Sequence, residues 1–142
     1  MTPTQVQHIR TSWSAVEPIA ADAATLFYAR LFELDPTIAE LFRHTDMDKQ
    51  RKVLMQTLAV VVRSADRLDQ IMPAVKALGH RHASYGVEID HYATVGAALL
   101  WTLEKGLGEA YTEDTALAWA DAYRRLSSAM IEASQQPELA AA

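Results

Sequence analysis

The sequence predicts an all-α single domain of seven to eight helices. Three observations carry that prediction. Apolar residues recur at helical spacing through almost the whole chain; the five Gly and five Pro fall where helices should begin or end; and no segment reads convincingly as a strand. At 142 residues the chain is long enough to bury one sizeable core.

Taken in order, Thr2-Pro3 reads as an N-cap followed by proline at the first helical position, opening a helix to about Glu17. Pro18 interrupts it, and a second helix runs through AADAATLFYARLFELD. Asp35-Pro36 repeats the cap-and-start pattern for a short third helix, PTIAELF. The polar segment RHTDMDK then reads as a loop, so a short connection is expected in place of a separate fourth helix. From about Asp48 to Ser64, Leu54, Leu58 and Val61 share one face; the β-branched run LAVVV belongs to this helix because no turn residues bound it. Asp66-Arg67-Leu68 reads as a turn or a single helical turn. Pro73 is expected to open a helix that stops at Gly86, and Asp90 to cap one that continues to Gly106 or Gly108. Thr112-Glu113-Asp114 starts a last long helix to about Ser134. The expected domain is 1–136, with 137–142 a frayed tail.

Composition removes several functions. The chain has no cysteine, which excludes disulfides, thiolate metal sites and cysteine nucleophiles. Its 13 Lys+Arg against 18 Asp+Glu give a net charge of −5, with no basic stripe for a phosphate backbone, so nucleic acid is not an expected partner. No apolar run is long enough to span a membrane, and MTPTQVQHIR is not a secretion sequence, so a cytoplasmic protein is expected.

Three polar residues lie on apolar faces. His82 follows Ile71, Val75 and Leu78 on one stripe. A core-facing histidine is more often bonded to a backbone carbonyl than to a metal, although neutral imidazole is also the commonest transition-metal ligand. Gln50 lies one turn before Leu54 on the same face; it either reaches water at the helix start or needs a buried partner, because an unpaired amide costs about 1–3 kcal/mol. Tyr28, among Phe27, Leu31 and Phe32, is either a core aromatic or a hydrogen-bonding group in a pocket. Together, one imidazole from a later helix and two polar groups from earlier ones can flank a common apolar cavity.

The order and spacing of these residues resemble the bacterial single-domain haemoglobins and the globin portion of flavohaemoglobins. FYARLFELDPTIAELF, from Phe27 to Phe42, is similar to that family's second and third helices, with the distal Tyr, the Pro that opens the third helix and the Phe that packs on the haem. Gln50 and Leu54 match the distal polar position and the aliphatic residue one turn on. PAVKALGHRHASYGVEIDHYATVG, from Pro73 to Gly96, is similar to the proximal block, and Ala118-Trp119 with Ala122-Tyr123 to the last helix.

The resemblance implies a globin fold around a haem pocket. It implies haem b, held noncovalently with His82 as iron ligand, Tyr92 behind it, and Tyr28 and Gln50 stabilising O2, NO or CO. O2 draws electron density from ferrous iron, so such donors favour it over CO. Phe42, Val53, Leu54, Leu78, Val87 and Val95 are the implied haem walls. Arg81 and Lys76 are candidate propionate partners and His44 a candidate sixth ligand; His8, His80 and His91 read as surface residues. The Leu78 carbonyl is the expected acceptor for the second ring nitrogen of His82. One departure stands out: flavohaemoglobins back the proximal His with a Tyr and a Glu, and the position matching the Glu here is Ser134, with Glu132 about 200° round the helix from it.

Three functions follow as expectations: an oxygen-binding, scavenging or transport protein; a nitric oxide dioxygenase served by a separate reductase; and a gas sensor or haem-free interaction module. No Gly-rich dinucleotide motif occurs, so turnover would need a reductase outside these residues. A haem-free module would have no need to keep His82, Tyr28 and Gln50 together.

Overall fold

A computed structural model describes residues 1–136, and the tail expected at 137–142 lies outside the described residues. The order of α-helices is α1 (Pro3–Val16), α2 (Ala20–Leu34), α3 (Pro36–Glu40), α4 (Met47–Arg63), α5 (Leu68–Ser84), α6 (Ile89–Leu107) and α7 (Glu113–Ser134). Short 3₁₀ turns occupy Glu17–Ile19 and Gly108–Ala110, and no strand occurs among the described residues.

The helix starts follow local chemistry. Thr2 Oγ1 accepts the Gln5 N–H at 3.1 Å while Gln5 Oε1 accepts the Thr2 N–H at 2.9 Å, a complete capping box with Pro3 behind it. Asp35, Asp46 and Thr112 each accept a first-turn N–H of α3, α4 and α7. After Glu40 the bonds tighten to three-residue spacing, with the Leu41 N–H donating to Ile38 O and the Phe42 N–H to Ala39 O. The third helix is therefore shorter than PTIAELF, and turns lead from it directly into α4, with no separate helix between them.

Two helix starts differ from the sequence expectation. α5 begins at Leu68, so Pro73 lies inside it rather than at its head. Leu68 is buried and Ile71 half-buried; covering them extends the helix upstream, at the cost of the hydrogen bond that Pro73 cannot donate. α6 is capped by Glu88, which places Asp90 in the first turn rather than at the cap.

The core joins α1, α2, α4, α6 and α7, with Ile9, Leu31 and Trp119 fully buried. The Trp119 indole N–H donates to Ser12 Oγ at 2.8 Å, which satisfies its one polar atom and ties α7 to α1. α5 packs mainly on α7, and Gly79 makes that crossing close: a Cβ there would stand 2.5 Å from Met130 O. α4 packs instead on α2 and α1. α4 and α5 thus pack mainly on different partners rather than on one another.

Candidate functional site

Tyr28 is held on α2 by aromatic packing. Its ring meets Phe27 edge-on at 4.9 Å and Phe42 edge-on at 5.6 Å, with Phe32 tilted at 6.0 Å, and the residue is only 5% exposed. Two α2 neighbours and one residue beyond α3 therefore lock the phenol, so α3 positions the site although it contributes no polar group to it.

Asp46 sets the start of α4 and so places Gln50 in its first turn. From there the Gln50 amide Nε2 donates to Tyr28 Oη at 3.1 Å. The two polar residues that the sequence singled out independently are thus hydrogen-bonded partners, and Gln50, half-buried, does not simply reach water. Since Oη accepts from Gln50, the phenol proton stays available to another acceptor. Burial raises the Tyr28 pKa, opposed by the Gln50 bond and by the charge of Arg51, so the hydroxyl keeps its proton at neutral pH.

On α5, His82 Nδ1 lies 2.9 Å from Leu78 O. A carbonyl only accepts, so Nδ1 carries the proton and Nε2 keeps its lone pair. Burial lowers the His82 pKa, opposed by the Leu78 bond and reinforced by Arg81, so the ring is neutral at pH 7. A half-buried imidazole whose Nδ1 is fixed by the backbone of its own helix keeps at Nε2 a lone pair that is chemically able to hold a metal.

Tyr92 is buried in the first turn of α6, and its Oη finds no partner among the described residues. The hydroxyl of Tyr123 donates to the Tyr92 carbonyl at 2.6 Å, and Gly96, whose Cβ would stand 2.7 Å from the Tyr123 ring, lets α7 come that near. Ser134 Oγ donates to Ile131 O at 2.6 Å, closing on its own helix, and Glu132 is exposed.

The remaining expected wall residues divide. Phe42, Leu54, Leu78, Val87 and Val95 are half-buried, whereas Val53 is 42% exposed on α4. His44 is exposed in the turn before α4, and Lys76 and Arg81 are exposed on α5. His8, His80 and His91 are half-buried rather than fully at the surface. Sequence reasoning missed the role of His91, whose Nδ1 accepts the Glu88 N–H at 2.9 Å. The i,i+3 spacing from an acidic residue at a helix start was the available signal.

A family model described as Globin matches residues 25–130, three-quarters of the chain and every residue of this site. The chain belongs to the globin family. Among curated relatives it is 36% identical over 107 residues to a flavohemoprotein of Bacillus subtilis and 31% identical over 130 residues to one of Bacillus thuringiensis. Those alignments cover 74% and 89% of this chain but only 27% and 31% of the relatives, so this globin spans about three-tenths of their length.

Solved structures agree on the fold. A hexacoordinated heme protein from an anhydrobiotic tardigrade superposes with a TM-score of 0.82 at 17% identity, covering 96% of each chain. An engineered carbene transferase from Rhodothermus marinus, whose parent is ascribed nitric oxide dioxygenase activity, gives 0.83 at 25% identity over 94% of this globin and 93% of that chain. Among the described residues, no helix is long and apolar enough to cross a membrane.

Proposed function

We propose that this globin binds haem b through His82 Nε2 and holds O2 reversibly beneath Tyr28 and Gln50, as an oxygen-binding protein. The observation that carries the reading is the Gln50–Tyr28 hydrogen bond at 3.1 Å. It sets two donors side by side and leaves the phenol proton free for a gas ligand.

The chain's own residues suit the group. Haem is the cofactor of the globin family, and its partners here would be a neutral imidazole held through Nδ1 by Leu78 O and half-buried walls from Phe42, Leu54, Leu78, Val87 and Val95. When bound, haem supplies a ferrous iron that takes a diatomic gas. Leu78 O fixes the tautomer and angle of His82, and the aromatic cluster fixes Tyr28. Tyr28 Oη–H and the Gln50 amide then discriminate among gases by donating more strongly to the more polar ligand.

The absorption spectrum tests this reading, taken on protein as isolated, after dithionite, and after dithionite under CO, with His82→Ala beside it. The expected result is an intense Soret band that shifts on reduction and again with CO, and that weakens in His82→Ala. Protein that takes no haem after reconstitution would refute the reading.

A second reading, nitric oxide dioxygenase with a separate reductase as partner, is favoured by the flavohemoprotein relatives and by the activity ascribed to the Rhodothermus parent. It uses the same pocket. Stoichiometric nitrate from NO and O2 with a flavin reductase supplied would favour it; O2 binding without catalytic nitrate formation would leave the carrier.

A further inference from the structure

The start of α6 is closed by a capping-box turn in which His91 Nδ1 accepts the Glu88 N–H at 2.9 Å while the His91 backbone N–H donates to Glu88 O at 3.0 Å. The returning side chain in such a box is ordinarily Glu or Gln, which has no proton to gain near neutral pH. Here it is an imidazole. A backbone N–H only donates, so Nδ1 must offer its lone pair and the ring proton sits on Nε2. The second proton of an imidazolium would go to that same Nδ1. One atom can therefore hold the Glu88 N–H or a proton, and not both.

Acidic groups lie around the ring. Glu88 lies at the cap, Asp90 in the first turn, and Asp35 faces the ring from the junction of α2 and α3. The Asp35 carboxyl is held below its usual range first by the Thr37 hydroxyl and, in smaller part, by His91. From α7 the residue nearest this turn in the hydrogen-bond pattern is Tyr123, whose hydroxyl is already given to the Tyr92 carbonyl.

The cap also closes the turn that follows His82. Gly86 takes a left-handed φ of 95°, and the Val87 N–H donates back to His82 O at 3.0 Å, so Glu88 is the next residue after that bond. We propose that His91 is a proton-operated cap: acid transfers Nδ1 from the Glu88 N–H to a proton and loosens the turn at residues 85–88 between His82 and α6. The cap stands on its own geometry; its bearing on the haem pocket rests on the function proposed above.

NMR of the 15N-labelled ferrous CO protein between pH 8 and pH 5, the range in which imidazoles titrate, tests it directly. The Glu88 amide shift should follow the His91 ring resonances, and its protection from exchange should fall about fivefold, the equivalent of a ~1 kcal/mol cap. Val87 should lose protection with it. His91→Gln keeps an acceptor that does not protonate, so both amides should stay protected at every pH. A Glu88 amide that stays still while the His91 ring titrates would overturn the proposal. So would one that still titrates in His91→Gln, which would assign the response to Asp35 or Glu88 instead. The same titration decides the cap on haem-free protein, so failure of the cap and failure of haem binding are read separately.

Discussion

Replacing Tyr28 by Phe removes one hydroxyl from a site whose geometry allows the effect to be worked out. In the proposed reading that hydroxyl donates to a gas ligand carrying partial negative charge, a bond worth about 1.5–3 kcal/mol. The loss is partly offset. Gln50 Nε2 now spends a donor on Tyr28 Oη at 3.1 Å, and the substitution frees that amide to turn toward the ligand as a neutral donor worth about 0.5–1.5 kcal/mol. The net loss is about 1–2 kcal/mol, or roughly a 5- to 30-fold faster O2 dissociation. The ring survives in its aromatic cage of Phe27, Phe32 and Phe42, so the fold should be nearly unchanged. Stopped-flow displacement of O2 by CO measures the rate, and CO dissociation, which depends less on a donor, serves as control. An O2 off-rate within about twofold of wild type, with an unaltered Soret band, would refute the donor role of Tyr28.

Other predictions rest on packing and charge. Gly79→Ala would set a Cβ 2.5 Å from Met130 O and 2.7 Å from its Cα, both backbone atoms, so α5 and α7 must separate. A loss of about 2–3 kcal/mol is expected from the urea midpoint; a wild-type midpoint would show that the crossing is not tight. The Asp121 carboxyl is held below its ordinary value of 3.8 by hydrogen bonds from Arg125 first and Arg124 next. A carboxyl depressed in the folded state stabilises above its unfolded pKa and loses that contribution as pH falls through the folded one. Wild type should therefore lose roughly 0.5 kcal/mol more than Asp121→Asn on acidification below about pH 4, since both arginines are solvated. Parallel midpoints for the two proteins at every pH would contradict this.

What the sequence revealed and what it hid divide along physical lines. Helix starts with a short polar side chain and a following proline, at Thr2-Pro3 and Asp35-Pro36, were legible because the cap is a contact over two or three residues. The Leu78 acceptor for His82 was legible for the same reason, being one turn away on the same helix. Pro73 misled because its local signal favours a helix start, whereas burial of Leu68 and Ile71 carried the helix five residues further upstream. The Glu88 cap was hidden because an imidazole replaces the expected amide or carboxylate, leaving Asp90 as the more familiar candidate. The Tyr28–Gln50 bond joins residues 22 apart on two helices, and only the packing of α4 on α2 brings them together. The sequence could name both residues as misplaced polar groups, yet it had no local means of pairing them.

The histidine side of the pocket bears on which gas chemistry this globin suits. His82 Nδ1 gives its proton to a backbone carbonyl, a neutral acceptor that orients the ring but raises its basicity less than a carboxylate would. The place where the family resemblance implies a carboxylate holds Ser134, whose hydroxyl is spent on Ile131 O, and Glu132 is turned to solvent. Tyr92, the other member of that implied arrangement, is buried, and its hydroxyl has no partner among the described residues. An unpaired buried phenol is a cost of about 1–3 kcal/mol that ordinary core packing would have removed by using Phe. In the function proposed above, a less basic imidazole would push less electron density onto the iron, favouring release of a diatomic ligand intact over its activation. The distal pair of Tyr28 and Gln50 then carries most of the discrimination, and the proposed function leans toward reversible O2 binding for that reason.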